Sequence, residues 1–184
     1  MIRRLGLVLV VIASAAVATG WVVRSEPDWY DRLRHPLRYE EIVRGHAANY
    51  GLDPALLAAV IYTESKFDAD ARSEAGAVGL MQLLPDTARG IAMRTGGDRF
   101  VVSDLLVPEL NVRYGSWYLR HLLQRYGDER TALAAYHAGQ GNVDAWRAAG
   151  AEIAFPETRA YVEKVLEARA VYADAYADEL RLAP

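Results

Sequence analysis

From Tyr39 onward, apolar residues recur every three to four positions, the period of an amphipathic α-helix. Ile42, Val43, His46, Ala47 and Tyr50 fall on one face of a first helix, which Gly51 stops. Asp53 and Pro54 supply an N-cap and a first helical position for a second helix. On it, Leu57, Val60, Ile61 and Glu64 stand at i, i+3, i+4 and i+7, one face, while Lys66 points away. Residues 68 to 84 break the pattern with Gly76 and Gly79 and read as irregular backbone, with at most a small β-hairpin near residues 73 to 83. Pro85-Asp86-Thr87-Ala88 opens a helix that breaks at Gly96-Gly97. Pro108 starts a long helix through Leu110, Tyr114, Trp117, Tyr118, Leu122 and Tyr126, closed by Gly127. Asp128 caps a short helix through Leu133 and Tyr136, and Asn142 caps another through Trp146. Pro156 precedes a last long helix with Tyr161, Val165, Ala168 and Tyr172 on one face. Strand signals are weak and no repeat is present, so the predicted class is mainly α.

The start of the chain follows a different rule. Met1-Ile2-Arg3-Arg4 is a short basic head, and residues 5 to 23 carry no charge. As a helix this run reaches about 28 Å, close to the thickness of a hydrocarbon core. Ala16-Val17-Ala18 fits a signal-peptidase site, but the apolar run continues through Trp21-Val22-Val23. We read an uncleaved signal anchor formed by an N-terminal hydrophobic helix, with export after cleavage as the alternative. Arg3 and Arg4 then stay in the cytoplasm and the domain lies outside, in the cell envelope. The expected organisation is a signal anchor or signal peptide over 1–24, a linker or collar over 25–37 with Pro27 and Pro36, and one folded domain over 38–184.

Composition narrows the chemistry. The 184 residues are 52% hydrophobic and 24% charged, enough for one compact domain with appendages. A net charge of -3 without a basic stripe argues against a nucleic-acid partner. There is no cysteine, which removes disulfides, thiolate metal sites, cysteine nucleophiles and a lipid-attachment cysteine. His35, His46, His121 and His137 show no His-Glu-x-x-His spacing, and no Gly-x-Ser-x-Gly elbow occurs. No metal and no cofactor is expected.

Glu64 is the candidate with chemistry. A lone Glu near a helix end is usually a solvated or paired surface group. This one shares its face with three apolar residues, and desolvation disfavours a charged carboxylate and raises its pKa. An acid still protonated near neutral pH is what general acid catalysis needs.

Four segments then line up: Glu64-Ser65, Gly76-Ala77-Val78-Gly79-Leu80-Met81-Gln82-Leu83-Leu84-Pro85, Ala134-Ala135-Tyr136-His137-Ala138-Gly139-Gln140-Gly141-Asn142-Val143, and Phe155-Pro156-Glu157-Thr158-Arg159-Ala160-Tyr161-Val162. In this order they resemble the bacterial lytic transglycosylases of the soluble type, over about Leu37 to Tyr172. The resemblance implies a lysozyme-like (goose-type) helical domain acting on peptidoglycan glycan strands. It implies cleavage of the MurNAc–GlcNAc β-1,4 bond with formation of a 1,6-anhydro-MurNAc end.

By the same resemblance, Glu64 is the catalytic residue, first acid and then base on the C6 hydroxyl of the same sugar. An intramolecular nucleophile has a high effective concentration, so no enzyme nucleophile is required. Ser65 matches the family's Glu-Ser pair and is expected to bind substrate through the acetamide, or else to cap the helix. Gly76 and Gly79 let backbone approach a sugar. Gln82 offers an amide to it, and Met81 matches a flexible apolar cleft residue, with a core role as the alternative. Tyr136 matches a tyrosine near the acid, whose hydroxyl is expected to orient Glu64 or the substrate acetamide. Glu157 and Tyr161, at i and i+4, match residues that contact the glycan and its peptide side, although Glu157 also suits a helix first turn. His137 stands where family members most often carry Asn. It reads as a tolerated polar substitution that adds a pH-sensitive group. Gly139-Gln140-Gly141 lacks the context of a phosphate loop and reads as a tight turn.

Two rival functions remain at this stage. A muramidase hydrolysing the same bond needs a second carboxylate, roughly 6.5–9.5 Å from the first in an inverting enzyme. Asp68 and Asp70 are the nearby candidates, in a loop where Asp suits turns. A non-catalytic glycan-binding module would keep the cleft and lose the acid, which Glu64 argues against. Protein partners are not legible.

Overall fold

The structure, a computed structural model, describes residues 28–182. The apolar segment 5–23 expected as an anchor lies outside them. Among the described residues, no helix is long and apolar enough to cross a membrane. In chain order the helices are α1 (Asp28–Arg34), α2 (Glu40–Tyr50), α3 (Pro54–Ser65), α4 (Pro85–Thr95), α5 (Pro108–Tyr126), α6 (Glu129–Ala138), α7 (Gln140–Ala148) and α8 (Pro156–Ala175), with a 3-10 turn at Val102–Leu106 before α5. The described residues contain no strand. Two isolated antiparallel bridges, Arg72 with Val78 and Val78 with Leu83, are all that the expected hairpin region forms.

α3 begins as the sequence indicates. The Asp53 carboxylate accepts from the Ala55 amide at 2.9 Å and Pro54 occupies the first turn. Its packing differs from the one-faced reading, because every residue from Ala55 to Ile61 is buried. A helix apolar on all sides is a central helix. α3 packs most extensively on α8, and α2, α5 and α6 add buried residues to the main core. Each fully buried Leu, Val or Ile there stabilises by roughly 1.5–3 kcal/mol. Arg169 of α8 ties two helix starts together, donating to Asp53 at 2.7 Å and to Glu129 at 2.8 Å.

A second, smaller core gathers Val78, Leu83, Ala88, Ile91, Leu105 and Tyr114 beneath α4 and the 3-10 turn. Tyr118 and Tyr136 pack against both cores. The boundary between the two is where the chain leaves a cleft.

Two expectations are corrected. Part of the stretch expected as a linker or collar is helical: α1 packs on α8. The segment after it is tied to the same helix. The Tyr172 hydroxyl donates to the Pro36 carbonyl at 3.2 Å, and the Tyr176 hydroxyl donates to the His35 carbonyl at 3.0 Å. Asn142 is not an N-cap. α7 starts at Gln140 with Gly139 before it, at φ 87 and ψ 148, a conformation that glycine adopts without strain. Asn142 lies inside the first turn and donates its amide back to the Ala138 carbonyl at 2.7 Å.

Candidate active site

Glu64 is the penultimate residue of α3. The chain turns sharply just beyond it, through Lys66 at φ 53 and Phe67 at φ 62, and the buried Phe67 ring anchors the turn. This leaves the Glu64 side chain on a cleft of about 360 Å³, bordered by Gln82 and Leu83 on one side and Tyr118, Tyr136 and His137 on the other. Among the described residues lining the cleft, Glu64 is the only carboxylate, and none is Lys or Arg. With no cation there to offset desolvation, burial pushes the Glu64 carboxyl up to about 7. The Tyr161 hydroxyl donates to Glu64 Oε1 at 2.7 Å and pulls the other way, because it stabilises the charged form. Burial and the nearby Glu64 carboxyl both hold the Tyr136 and Tyr161 phenols well above the usual tyrosine range, so both stay protonated.

The wall between Gly76 and Leu84 is irregular backbone, and buried irregular backbone must find partners for its amides and carbonyls. Side chains from three helices supply them. Asn111 of α5 donates to the Val78 carbonyl at 2.9 Å and the Leu105 carbonyl at 2.8 Å, and accepts from the Met81 amide at 2.8 Å. Ser65 of α3 donates to the Leu80 carbonyl at 2.8 Å, with a longer approach to Ile61 at 3.2 Å. Tyr136 of α6 donates to the Met81 carbonyl at 2.8 Å. Gln82, at φ 45, folds its own amide onto the carbonyls of Gly79 at 2.8 Å and Ala71 at 3.2 Å. Gly79 is required at its place. Its φ is +79, and a Cβ would fall 2.2 Å from Asn111 Nδ2 and 2.3 Å from the Leu105 carbonyl.

The residues singled out in the sequence therefore separate. Glu64, Gln82 and Tyr136 line the cleft, and His137 joins them. Tyr161 reaches Glu64 from α8. Ser65 spends its hydroxyl proton on the wall. Glu157 is exposed in the first turn of α8 and does not line the cleft. Met81 departs from the expectation of a cleft side chain. It is 0% exposed, packed against Gly115 of α5, where a Cβ would fall 2.2 Å from its sulfur. The core reading of Met81 holds, and only its backbone serves the wall. Asp68 and Asp70 are exposed, and the Asp70 amide donates to the Asp68 carboxylate at 3.0 Å, a local turn.

Sequence reading missed Asn111 and Thr158. Each is a buried polar side chain on a helix, at 1% and 0% exposure. A polar residue amid an apolar helical face was the available signal, since buried polar groups need partners. Among the described residues, no cluster of three or more His, Cys, Asp or Glu is arranged to hold a metal.

A helical domain with an irregular loop wall and one desolvated acid in its cleft has the architecture of the lysozyme-like folds. Residues 41–155 match the family described as "Transglycosylase SLT domain". The chain belongs to this family. It is 37% identical over 131 residues to the "Transglycosylase" of Enterobacteria phage PRD1, covering 71% of this chain and 43% of that protein. It is 34% identical over 151 residues to the "Soluble lytic murein transglycosylase" of Salmonella typhimurium, covering 76% of this chain and 23% of that protein. Among solved structures it is similar to an inactive Glu-to-Gln mutant of the lytic transglycosylase Slt from Pseudomonas aeruginosa. There the TM-score is 0.73 at 31% identity, over 90% of this chain and 30% of that one. The chain thus spans less than half the length of these relatives.

Proposed function

We propose that this chain is a peptidoglycan lytic transglycosylase that cleaves the MurNAc–GlcNAc β-1,4 bond without water and leaves a 1,6-anhydro-MurNAc end. The observation that carries this reading is Glu64 as the only carboxylate on the cleft among the described residues, with burial raising its carboxyl to about 7. Protonated, Glu64 gives its proton to the glycosidic oxygen as the C1–O bond breaks. The resulting carboxylate takes the proton of the C6 hydroxyl as O6 bonds to C1. Glu64 ends protonated, and no water is consumed. A hydrolase of the two-carboxylate type needs a second acid to hold water. A cleft with one carboxylate favours the internal nucleophile. Family membership supports the substrate class, and the relative inactive as a Glu-to-Gln mutant supports dependence on a glutamate.

In this reading Gln82 and the ring of Tyr136 contact the glycan, Tyr161 orients the acid, and Ser65 and Met81 act through the wall they hold. Glu157 contacts the substrate beyond the cleft. The chain works in the cell envelope on glycan strands, carried there by residues 1–24 as anchor or signal peptide. Residues 38–184 form the catalytic unit.

Digestion of purified sacculi by the wild type and by Glu64→Gln, with chain ends identified by mass spectrometry, tests this. The wild type is expected to release anhydro-muropeptides, one water lighter than hydrolytic products, and Glu64→Gln to release almost none. Reducing ends alone would overturn the transglycosylase reading, and unchanged turnover by Glu64→Gln would overturn the role of Glu64.

A further inference from the structure

His137, the last but one residue of α6, has no role in the reaction described above, yet the fold does not leave it as a loose surface group. Its Nδ1 lies 3.1 Å from the Thr158 hydroxyl, and Thr158 is 0% exposed in the first turn of α8. Its ring faces the Tyr161 ring with 4.5 Å between centroids and a 30° tilt. Tyr161 lies one helical turn after Thr158, and its hydroxyl is the one that reaches Glu64. His137 is therefore pinned on one edge by Thr158 and packs at a tilt against the phenol that binds the acid. Its remaining surface borders the Glu64 cleft.

We propose that His137 is a positioning residue that holds the Tyr161 hydroxyl on Glu64, and that it does so as the neutral imidazole. The inference rests on Glu64 being the catalytic acid. Neutral His137 can accept from the Thr158 hydroxyl, whose hydrogen bond among the described residues is this one. Protonation makes Nδ1 a donor. The Thr158 oxygen then accepts from it, so the contact between α6 and α8 persists with its direction reversed. A cation over the Tyr161 ring, however, makes that phenol a stronger donor to Glu64 and favours its ionised form, which removes the proton-bearing acid. The titratable groups around the ring are Glu157 and Tyr161 on α8, Tyr136 on α6, Glu64 on α3 and Tyr118 on α5, across the cleft. Burial lowers the His137 pKa from its ordinary value, and the Glu157 charge opposes this. The neutral form thus prevails where Glu64 is still partly protonated.

The test compares wild type, His137→Ala, His137→Phe and Glu64→Gln on sacculi, with thermal melting to confirm that each is folded. Phe keeps a ring face for Tyr161 and carries no nitrogen. Expected are a fall in kcat of about 10- to 100-fold for His137→Ala with KM little changed, and recovery of most of kcat by His137→Phe. Wild-type kcat is expected to drop on the acid side, at a pH below the ordinary histidine range because burial lowers the His137 pKa, and His137→Phe to lack that drop. The proposal is overturned if His137→Ala keeps its kcat, or if KM rises while kcat holds. It is equally overturned if Phe recovers no more than Ala, or if the acid-side drop persists in His137→Phe. Glu64→Gln separates the two levels of the argument. If it is inert while His137→Ala matches wild type, only the role of His137 falls. If it turns over normally, the reading of Glu64 falls as well.

Discussion

The Tyr161 hydroxyl donates a 2.7 Å hydrogen bond to Glu64 across 97 positions of sequence. It joins the end of the central helix α3 to the start of α8, the two elements that pack most closely in the fold. Burial and this bond act on the carboxyl in opposite directions, and burial wins, leaving Glu64 at about 7. The bond fixes where the acid points without removing its proton.

The balance sets the pH response of activity. Glu64 must start protonated, so kcat/KM is expected to fall above about pH 7, the value to which burial raises the group. Tyr161→Phe removes the interaction that lowers this pKa. The alkaline limb is then expected to move to higher pH even as kcat drops from looser positioning. Rate–pH profiles of the two proteins on sacculi measure both effects, and a limb that stays in place would contradict the hydrogen-bond account.

The same shift appears in stability. Glu64 has a folded-state pKa of about 7 against an ordinary 4.5. Below 4.5 the group is protonated in both the folded and unfolded states, and no penalty arises. Between 4.5 and 7 the unfolded chain releases the proton and the folded one keeps it, so folding stability declines as pH rises, then levels off. Glu64→Gln escapes this cost. It is expected to be more stable than wild type by on the order of 2–3 kcal/mol at pH 8, allowing for residual access of water, and nearly equal at pH 4. Chemical denaturation at the two pH values measures the difference.

Asn111 offers a test of the wall. Its amide makes three hydrogen bonds to irregular backbone at 1% exposure. Asn111→Ala strands the Met81 amide and two carbonyls, and is expected to cost about 2–4 kcal/mol. Its activity is expected to fall by at least about 10-fold at temperatures where it remains folded, because Gln82 and the backbone facing Glu64 lose their support. Denaturant melts and turnover of sacculi on the same preparation separate the two effects.

Much of the helical order was legible in the pattern of residues, because helix starts and stops are local events. Asp53-Pro54 caps α3, Pro85, Pro108 and Pro156 open helices, and Gly51, Gly96 and Gly127 close them in left-handed backbone. The family and the cluster of Glu64, Gln82, Tyr136 and Tyr161 were also legible, since motifs in fixed order carry them. The local reading failed at Asn142, where Gly139 takes the cap position, and at Asp28–Arg34, whose short helix packs on α8.

The sequence by itself determined the mainly helical class, most helix limits and an acid on an apolar face, because periodicity and capping act over a few residues. Tertiary structure decided the rest. It buried α3 on all sides and sent the Met81 side chain into the notch at Gly115. It also spent the Ser65 and Tyr136 hydroxyls on the wall and set Tyr161 on Glu64 with the His137 ring packed against it. These contacts join residues tens of positions apart. Which partner each polar group finds depends on how the two cores close around the cleft, a long-range packing outcome that no local pattern encodes.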